Sequence, residues 1–135
     1  MNTRSLNPRL HGLLDYAAAV ALMVVPYVVG IPDISPLALG LSLTTGSTLA
    51  TYSLMTDYRY GLYRILSYRA HIILDLLLAM VLVLIPPVFG FSGLLTSYFW
   101  IMAGGMVLVV AVSVPRCGIF VKKGAPAGRF SELRS

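Results

Sequence analysis

Four long stretches of hydrophobic residues run along the chain, separated by short segments that are polar or rich in proline and glycine. The stretches extend from Gly12 to Val29, Leu37 to Met55, Ile72 to Phe89 and Leu94 to Val114. A helix needs about 20 mostly apolar residues to cross the ~30 Å hydrocarbon core of a bilayer. An open sheet edge would leave backbone groups unpaired in lipid, and the alternating polarity of a membrane barrel is missing. The pattern predicts an all-α protein with four transmembrane helices.

Proline and glycine residues mark the connection within each pair of stretches. Proline lacks the N–H that a helix interior needs, and glycine tolerates turn conformations. Both connections are therefore predicted to be tight hairpins. The predicted helix breaks are Pro26, Gly30, Pro86, Pro87 and Gly90. The alternative for Pro26 and Pro86 is a kink in the last turn of the helix.

The first and third stretches, together with the residues that flank them, repeat one another at a constant offset of 60 residues. The recurring residues include Arg9, His11, Asp15, Ala19, Leu22, Pro26 and Gly30, which correspond to Arg69, His71, Asp75, Ala79, Leu82, Pro86 and Gly90. Each repeat contains two spans, so both copies have the same orientation in a membrane. The predicted fold is a four-transmembrane-helix bundle made of two tandem parallel helical-hairpin repeats.

This organisation divides the chain into five segments. They are a cytoplasmic N-terminus (1–11), repeat 1 (12–56), a cytoplasmic loop (57–71), repeat 2 (72–114) and a cytoplasmic basic tail (115–135). Glycines near the middles of the second and fourth spans, namely Gly46, Gly104 and Gly105, are predicted to allow close helix packing.

Composition and charge favour a membrane protein over a soluble one. Hydrophobic residues make up 58% of the chain and charged residues 11%, against about 25% charged in an ordinary soluble domain. All 10 Lys and Arg residues lie outside the two hairpin connections. The positive-inside rule makes their side cytoplasmic, with both termini inside. The net charge of +5 therefore indicates contact with anionic lipid headgroups, and nucleic acid is not expected as a partner.

The His-x-x-x-Asp pattern, followed by an apolar run and a proline segment ending in glycine, resembles the SPW repeat of small bacterial integral membrane proteins. The resemblance covers residues 9–114 in two copies. The Ser-Pro-Trp that names the family stands here as Val25-Pro26-Tyr27 and Ile85-Pro86-Pro87. The resemblance implies a multi-pass protein of the bacterial inner membrane, and it implies no reaction, substrate or cofactor.

A repeated set of ionisable residues lies at the cytoplasmic ends of the first and third spans. This predicted polar cluster comprises Arg9, His11, Asp15, Arg69, His71 and Asp75. A histidine and an aspartate four residues apart share a helix face, and two-fold symmetry would bring both pairs together. An ionisable group at mid-bilayer costs roughly 2.5–3.5 kcal/mol on insertion scales, and such groups usually pair. The favoured interpretation is a structural staple between the hairpins.

Three functional alternatives stay open for this cluster. It could be a proton or cation site of an oligomeric carrier or channel, because histidine titrates near neutral pH. His11 and His71 could be axial ligands of a b-type haem, since no CxxCH attachment motif occurs. Alternatively, His11, His71, Asp15 and Asp75 could bind one divalent metal ion. The favoured expectation is that no cofactor is bound.

Catalytic motifs are missing from the sequence. No phosphate loop, CxxC or HExxH motif is present, and 2 histidines with 1 cysteine are too few for a zinc-finger or disulfide framework. We therefore expect no enzyme. The expected function is that of a non-catalytic structural or accessory component of the inner membrane, acting alone, as a homo-oligomer or in a larger membrane complex.

Overall fold

The computed structural model describes residues 8–57, 61–63 and 65–113 and shows an all-α protein over these ranges. The helices are α1 (Pro8–Val28), α2 (Ile31–Ile34), α3 (Pro36–Leu54), α4 (Tyr68–Phe89) and α5 (Leu94–Ser113). Within the same ranges, β-pairing is limited to one parallel bridge between Thr56 and Leu66. The predicted all-α class is confirmed. The tail 115–135 and most of the N-terminal segment lie outside the described residues.

Three helices are long and apolar enough to cross a membrane. They are Leu10–Val28, Tyr68–Phe89 and Leu94–Ser113. Helix α3 has a similar length of 19 residues, but its many serines and threonines lower its mean hydropathy. The chain therefore has the character of a membrane protein, with three candidate spans in place of the four expected from the sequence.

Helices α1 and α4 continue through their prolines and end beside glycine. Pro26 lies inside α1, and Pro86 and Pro87 lie inside α4. The predicted breaks at these three prolines are thus corrected, because the chain reverses a few residues later. Gly30 and Gly90 take positive φ angles of 76° and 68°, a left-handed conformation that glycine adopts without a Cβ clash.

Proline leaves a backbone carbonyl without its helical partner, and side chains from neighbouring helices supply replacements. The Leu22 carbonyl, four residues before Pro26, accepts a hydrogen bond of 2.7 Å from Ser42 Oγ on α3. The Val83 carbonyl, four residues before Pro87, accepts one of 3.3 Å from Trp100 Nε1 on α5. These bonds explain how prolines are accommodated within apolar helices.

The four long helices pack as two pairs that contact one another. Helix α1 packs against α3, and α4 packs against α5. The pairs meet through contacts of α1 with α5 and of α3 with α4. The shared hydrophobic core includes Leu22, Leu49, Leu82, Ile85, Leu95 and Phe99. Large apolar side chains such as Val20, Ile73 and Ile101 point outward, as expected for surfaces in contact with lipid acyl chains.

The sequence repeat coincides with the inward faces of α1 and α4. The buried members are His11, Asp15, Ala19, Leu22 and Pro26 in α1, and His71, Asp75, Ala79, Leu82 and Pro86 in α4. Their spacings of three and four residues place each set on one side of its helix. Equivalent residues of the two copies are thus buried to a similar extent.

The glycines predicted to allow helix packing fall into two groups. A Cβ on Gly46 would lie 3.0 Å from both the Ala19 carbonyl oxygen and Leu22 Cβ, so α3 approaches α1 closely at this point. Gly104 and Gly105 are exposed, and a Cβ on either would meet no heavy atom of the described residues within 4 Å. Only Gly46 therefore serves close packing within the described part of the chain.

Replacing Gly46 with alanine should destabilise the protein by about 1–3 kcal/mol, because the added methyl group is forced against backbone and a β-carbon. Thermal unfolding in detergent measures the effect. Gly104→Ala is the matched control and should leave the midpoint unchanged or slightly raised. Equal destabilisation by both substitutions would contradict the packing described here.

Candidate functional site: a buried histidine–aspartate centre

Helices α1 and α4 each bring one histidine and one aspartate to the same end of the molecule. His11 and Asp15 lie one turn apart near the start of α1, and His71 and Asp75 lie one turn apart near the start of α4. Their relative exposures are 0%, 4%, 0% and 1% respectively. We call these four residues the histidine–aspartate centre.

One atom from each side chain points to a common point. The four atoms, His11 Nε2, Asp15 Oδ2, His71 Nε2 and Asp75 Oδ2, all lie within 4.8 Å of one another. Across the helix pairs, His71 Nε2 is 2.8 Å from Asp15 Oδ2, and His11 Nε2 is 3.3 Å from Asp75 Oδ2. Within each helix, the histidine–aspartate distances are 3.4 Å in α1 and 3.3 Å in α4. The two repeats thus share one polar centre.

Two of these inward atoms have no hydrogen-bond partner. His11 Nε2 and Asp75 Oδ2 are both buried, and the contact of 3.3 Å between them lacks hydrogen-bond geometry. An unsatisfied buried polar atom costs roughly 1–3 kcal/mol, and more when it is charged. The centre therefore contains one imidazole nitrogen and one carboxylate oxygen that form no hydrogen bond with its other side chains.

The outer nitrogen of each imidazole contacts a hydroxyl group from another part of the chain. His11 Nδ1 lies 2.7 Å from Ser113 Oγ, at the end of α5. His71 Nδ1 lies 2.8 Å from Thr56 Oγ1, just after α3. Each hydroxyl donates its single hydrogen to a backbone carbonyl one turn earlier, Ser113 to Val109 and Thr56 to Tyr52.

These contacts determine which histidine nitrogen carries the hydrogen. Since each hydroxyl hydrogen is already used, the hydroxyl oxygen must accept from Nδ1–H. Nε2, the atom that points into the centre, then has a lone pair in a neutral imidazole and a second hydrogen in an imidazolium. The 2.8 Å hydrogen bond between His71 Nε2 and Asp15 Oδ2 needs a hydrogen on one of these two atoms. The surrounding hydroxyls thus orient both rings with Nε2 inward.

Tyrosine side chains complete the surroundings of the centre. The Tyr52 hydroxyl, from α3, donates a hydrogen bond of 2.6 Å to Asp75 Oδ1, the outer oxygen of that carboxylate. The Tyr52 ring also meets His71 edge-on, with ring centroids 5.1 Å apart. The Tyr68 ring meets His11 in the same manner at 5.6 Å. All four long helices therefore contribute to holding the centre.

Of the two arginines predicted in this cluster, Arg69 lies outside the centre. Arg69 is exposed on α4, and the side chain of Arg9 lies outside the described residues. Positions 69 and 71 differ by two residues and so lie on different helix faces, which explains why Arg69 points away. Among the described side chains of the predicted cluster, the structure brings together His11, Asp15, His71 and Asp75.

Sequence reasoning missed Thr56, Ser113 and Tyr52. A partial signal is present in the sequence, since serine recurs at positions 53 and 113 with the same 60-residue offset, and Ser113 does contact a histidine. Ser53 is buried, but the equivalent contact to His71 is made by Thr56, three residues further on. The contacts of the two Nδ1 atoms therefore differ between the repeats, whereas both Nε2 atoms contact the two aspartates.

Comparisons with known proteins do not extend this description. No family model, curated protein or solved structure matches the chain.

Removing the Tyr52 hydroxyl should destabilise the protein, because the buried Asp75 carboxylate loses a hydrogen-bond donor. Tyr52→Phe is expected to cost about 2 kcal/mol, the range for a hydrogen bond to a charged group. Tyr27 is 56% exposed, so Tyr27→Phe is the control and should leave stability unchanged. Indistinguishable unfolding midpoints for the two variants would show that the Tyr52–Asp75 bond contributes nothing.

Proposed function

We propose that this protein is a four-span membrane protein of two tandem parallel hairpins, with a non-catalytic structural or accessory role in its membrane. In this proposal α3 is the fourth span, since it is nearly as long as the other three and is paired with α1 as α5 is paired with α4. Membership of the SPW-repeat family and location in a bacterial inner membrane remain part of the proposal, supported by the recurring residues alone.

The observation that carries the proposal is the pair of contacts between the two hairpins at the centre. His71 Nε2 lies 2.8 Å from Asp15 Oδ2, and His11 Nε2 lies 3.3 Å from Asp75 Oδ2. Because these groups are buried, separating the hairpins would leave polar atoms facing an apolar environment without partners. The centre therefore favours one relative position of the two hairpins and acts as a staple.

The geometry does not favour a haem between His11 and His71. The carboxylate oxygens of Asp15 and Asp75 lie 2.8–3.4 Å from the inward histidine nitrogens. They occupy the region between the imidazoles that a porphyrin ring would have to fill. A haem would require both carboxylates to leave the centre.

A carrier for protons or cations also receives little support from the core. Towards the opposite ends of the helices, the buried side chains include Leu22, Leu82, Ile85, Leu95 and Phe99. The polar side chains buried near this level include Ser42, Tyr98 and Thr45. Ser42 bonds with Tyr98 and with the Leu22 carbonyl, and Thr45 donates to the Leu41 carbonyl of its own helix. A path for ions through a single copy would need polar positions beyond this point, so the structural role is preferred.

A double-mutant cycle across the hairpins tests the staple. Asp15→Asn and His71→Gln should each destabilise the protein by a few kcal/mol, because each leaves a buried partner uncompensated. The double variant should lose less than the sum, with a coupling energy of about 0.5–3 kcal/mol. Unfolding in detergent measures all four proteins.

Asp33→Asn provides the control, since Asp33 is exposed on α2 and its substitution should be neutral. Strict additivity of the Asp15 and His71 effects would contradict a staple. Destabilisation by Asp33→Asn of similar size would show that any loss of carboxylate has this effect.

The four-span topology predicts opposite sides for two connections. In a variant with Cys117 replaced by alanine, Asp33→Cys should react with a membrane-impermeant thiol reagent added outside intact cells. Arg64→Cys should react only after the membrane is permeabilised, because the positive-inside rule places the loop 57–71 in the cytoplasm. Labelling of both positions from one side would mean that α3 does not cross the membrane.

A further inference from the structure

We propose that the histidine–aspartate centre binds one divalent transition-metal ion, with two imidazole nitrogens and two carboxylate oxygens as ligands. The inference rests on the proposed function in one respect, that the four side chains meet across the two hairpins. It goes further in assigning a ligand to the point where they meet.

The directions of the lone pairs support a metal ion. Ser113 and Thr56 hold the Nδ1 hydrogens of His11 and His71, so both Nε2 lone pairs point to the centre in the neutral rings. Histidines that ligate metals usually donate their other ring N–H to a neighbouring acceptor in this way. The outer oxygen of Asp75 is likewise held by Tyr52, which leaves Oδ2 for the ion.

The unpartnered atoms give an independent indication. His11 Nε2 and Asp75 Oδ2 are buried, point into the centre and form no hydrogen bond. When both Nε2 atoms are unprotonated, the four inward atoms are all electron-pair donors. A single cation at their common point would then satisfy all of them at once and replace the hydrogen between His71 Nε2 and Asp15 Oδ2.

The spacing of the inward atoms suits a small ion. Tetrahedral ligation with bonds of about 2.0–2.1 Å places neighbouring ligand atoms about 3.3 Å apart. The four histidine–aspartate distances are 2.8, 3.3, 3.3 and 3.4 Å, close to this spacing. The histidine–histidine and aspartate–aspartate pairs lie within 4.8 Å, and a pair at that limit has to close by about 1.5 Å for tetrahedral ligation.

Charge and donor type indicate the class of metal. The two carboxylates carry two negative charges into a buried site from which Arg69 is turned away, and one divalent ion neutralises them. Mixed imidazole and carboxylate ligands suit Zn²⁺, Fe²⁺ or Mn²⁺. Ca²⁺ and Mg²⁺ prefer oxygen ligands alone, and Cu⁺ prefers sulfur.

The bound ion would strengthen the staple. Two ligands come from α1 and two from α4, so the ion would be shared equally by the hairpins. Anything that binds the folded protein and not the unfolded one raises stability by mass action. The metal-loaded protein should therefore unfold at a higher temperature than the metal-free protein.

The test uses the full chain with a purification tag that contains no histidine, since the chain has only 2 histidines of its own. The protein is stripped with a chelator, reloaded with Zn²⁺ and freed of excess ion. We expect about one equivalent of zinc to be retained, a higher unfolding midpoint, and zinc X-ray absorption showing two imidazoles and two oxygens at about 2.0–2.1 Å. Any two imidazoles on one zinc within a monomer must be His11 and His71.

Ser113→Ala keeps all four ligands and removes the group that orients His11. It should weaken zinc binding about 10–100-fold, the usual effect of losing such a partner, while the stripped protein stays folded. Ser47→Ala, at an exposed position of α3, is the matched control and should bind zinc as the unaltered protein does.

Retention of far less than one equivalent, no rise in the unfolding midpoint, or zinc absorption without imidazole scattering would each overturn the metal proposal. Equal binding by the Ser113→Ala and Ser47→Ala proteins would overturn the role assigned to Ser113 in it.

If the stripped protein still shows coupling between Asp15 and His71, the staple stands without the metal. If zinc binds and that coupling is missing, the metal site stands and the staple alone fails.

Discussion

The structure depends on how two carboxylates and two imidazoles satisfy one another away from water. Each group alone would be costly in an apolar core. Together they fill one site, in which His71 and Asp15 approach to 2.8 Å. The histidine–aspartate contacts within each helix are 3.4 and 3.3 Å, whereas the hydrogen bond of 2.8 Å joins α1 to α4. The relative position of the hairpins follows from these contacts.

The rest of the fold keeps that site in place. Ser113, Thr56 and Tyr52 hold the outer atoms of the centre and come from α5, from the segment after α3 and from α3. Further along the helices, side-chain donors replace the bonds that the prolines remove, as Ser42 does for the Leu22 carbonyl. Polar contacts therefore determine how the helices pair, while apolar side chains fill the space between them.

Much of this arrangement could be predicted from the sequence, because its signals are periodic. The spacing of His11 and Asp15, repeated at His71 and Asp75, placed each pair on one helix face and predicted their meeting. The orientation of helix α5 could not be predicted in this way. Apolar residues are spread around most of its circumference, so its sequence does not indicate that Gly104 and Gly105 face outward. Thr56 lies beyond the end of α3, and its approach to His71 depends on the path of a connection that no periodic pattern describes. Arg69 was assigned to the centre because it repeats, although its two-residue distance from His71 puts it on another face.

The measurement that most directly tests the shared centre is solid-state nuclear magnetic resonance of the protein in lipid bilayers, with ¹⁵N-labelled histidine and ¹³C-labelled aspartate. The account predicts two imidazoles, each with hydrogen on Nδ1 and with Nε2 close to aspartate carboxyl carbons, including a contact from His71 to Asp15 across the hairpins. Imidazole signals that exchange with water and show no contact with any aspartate carboxyl carbon would contradict it.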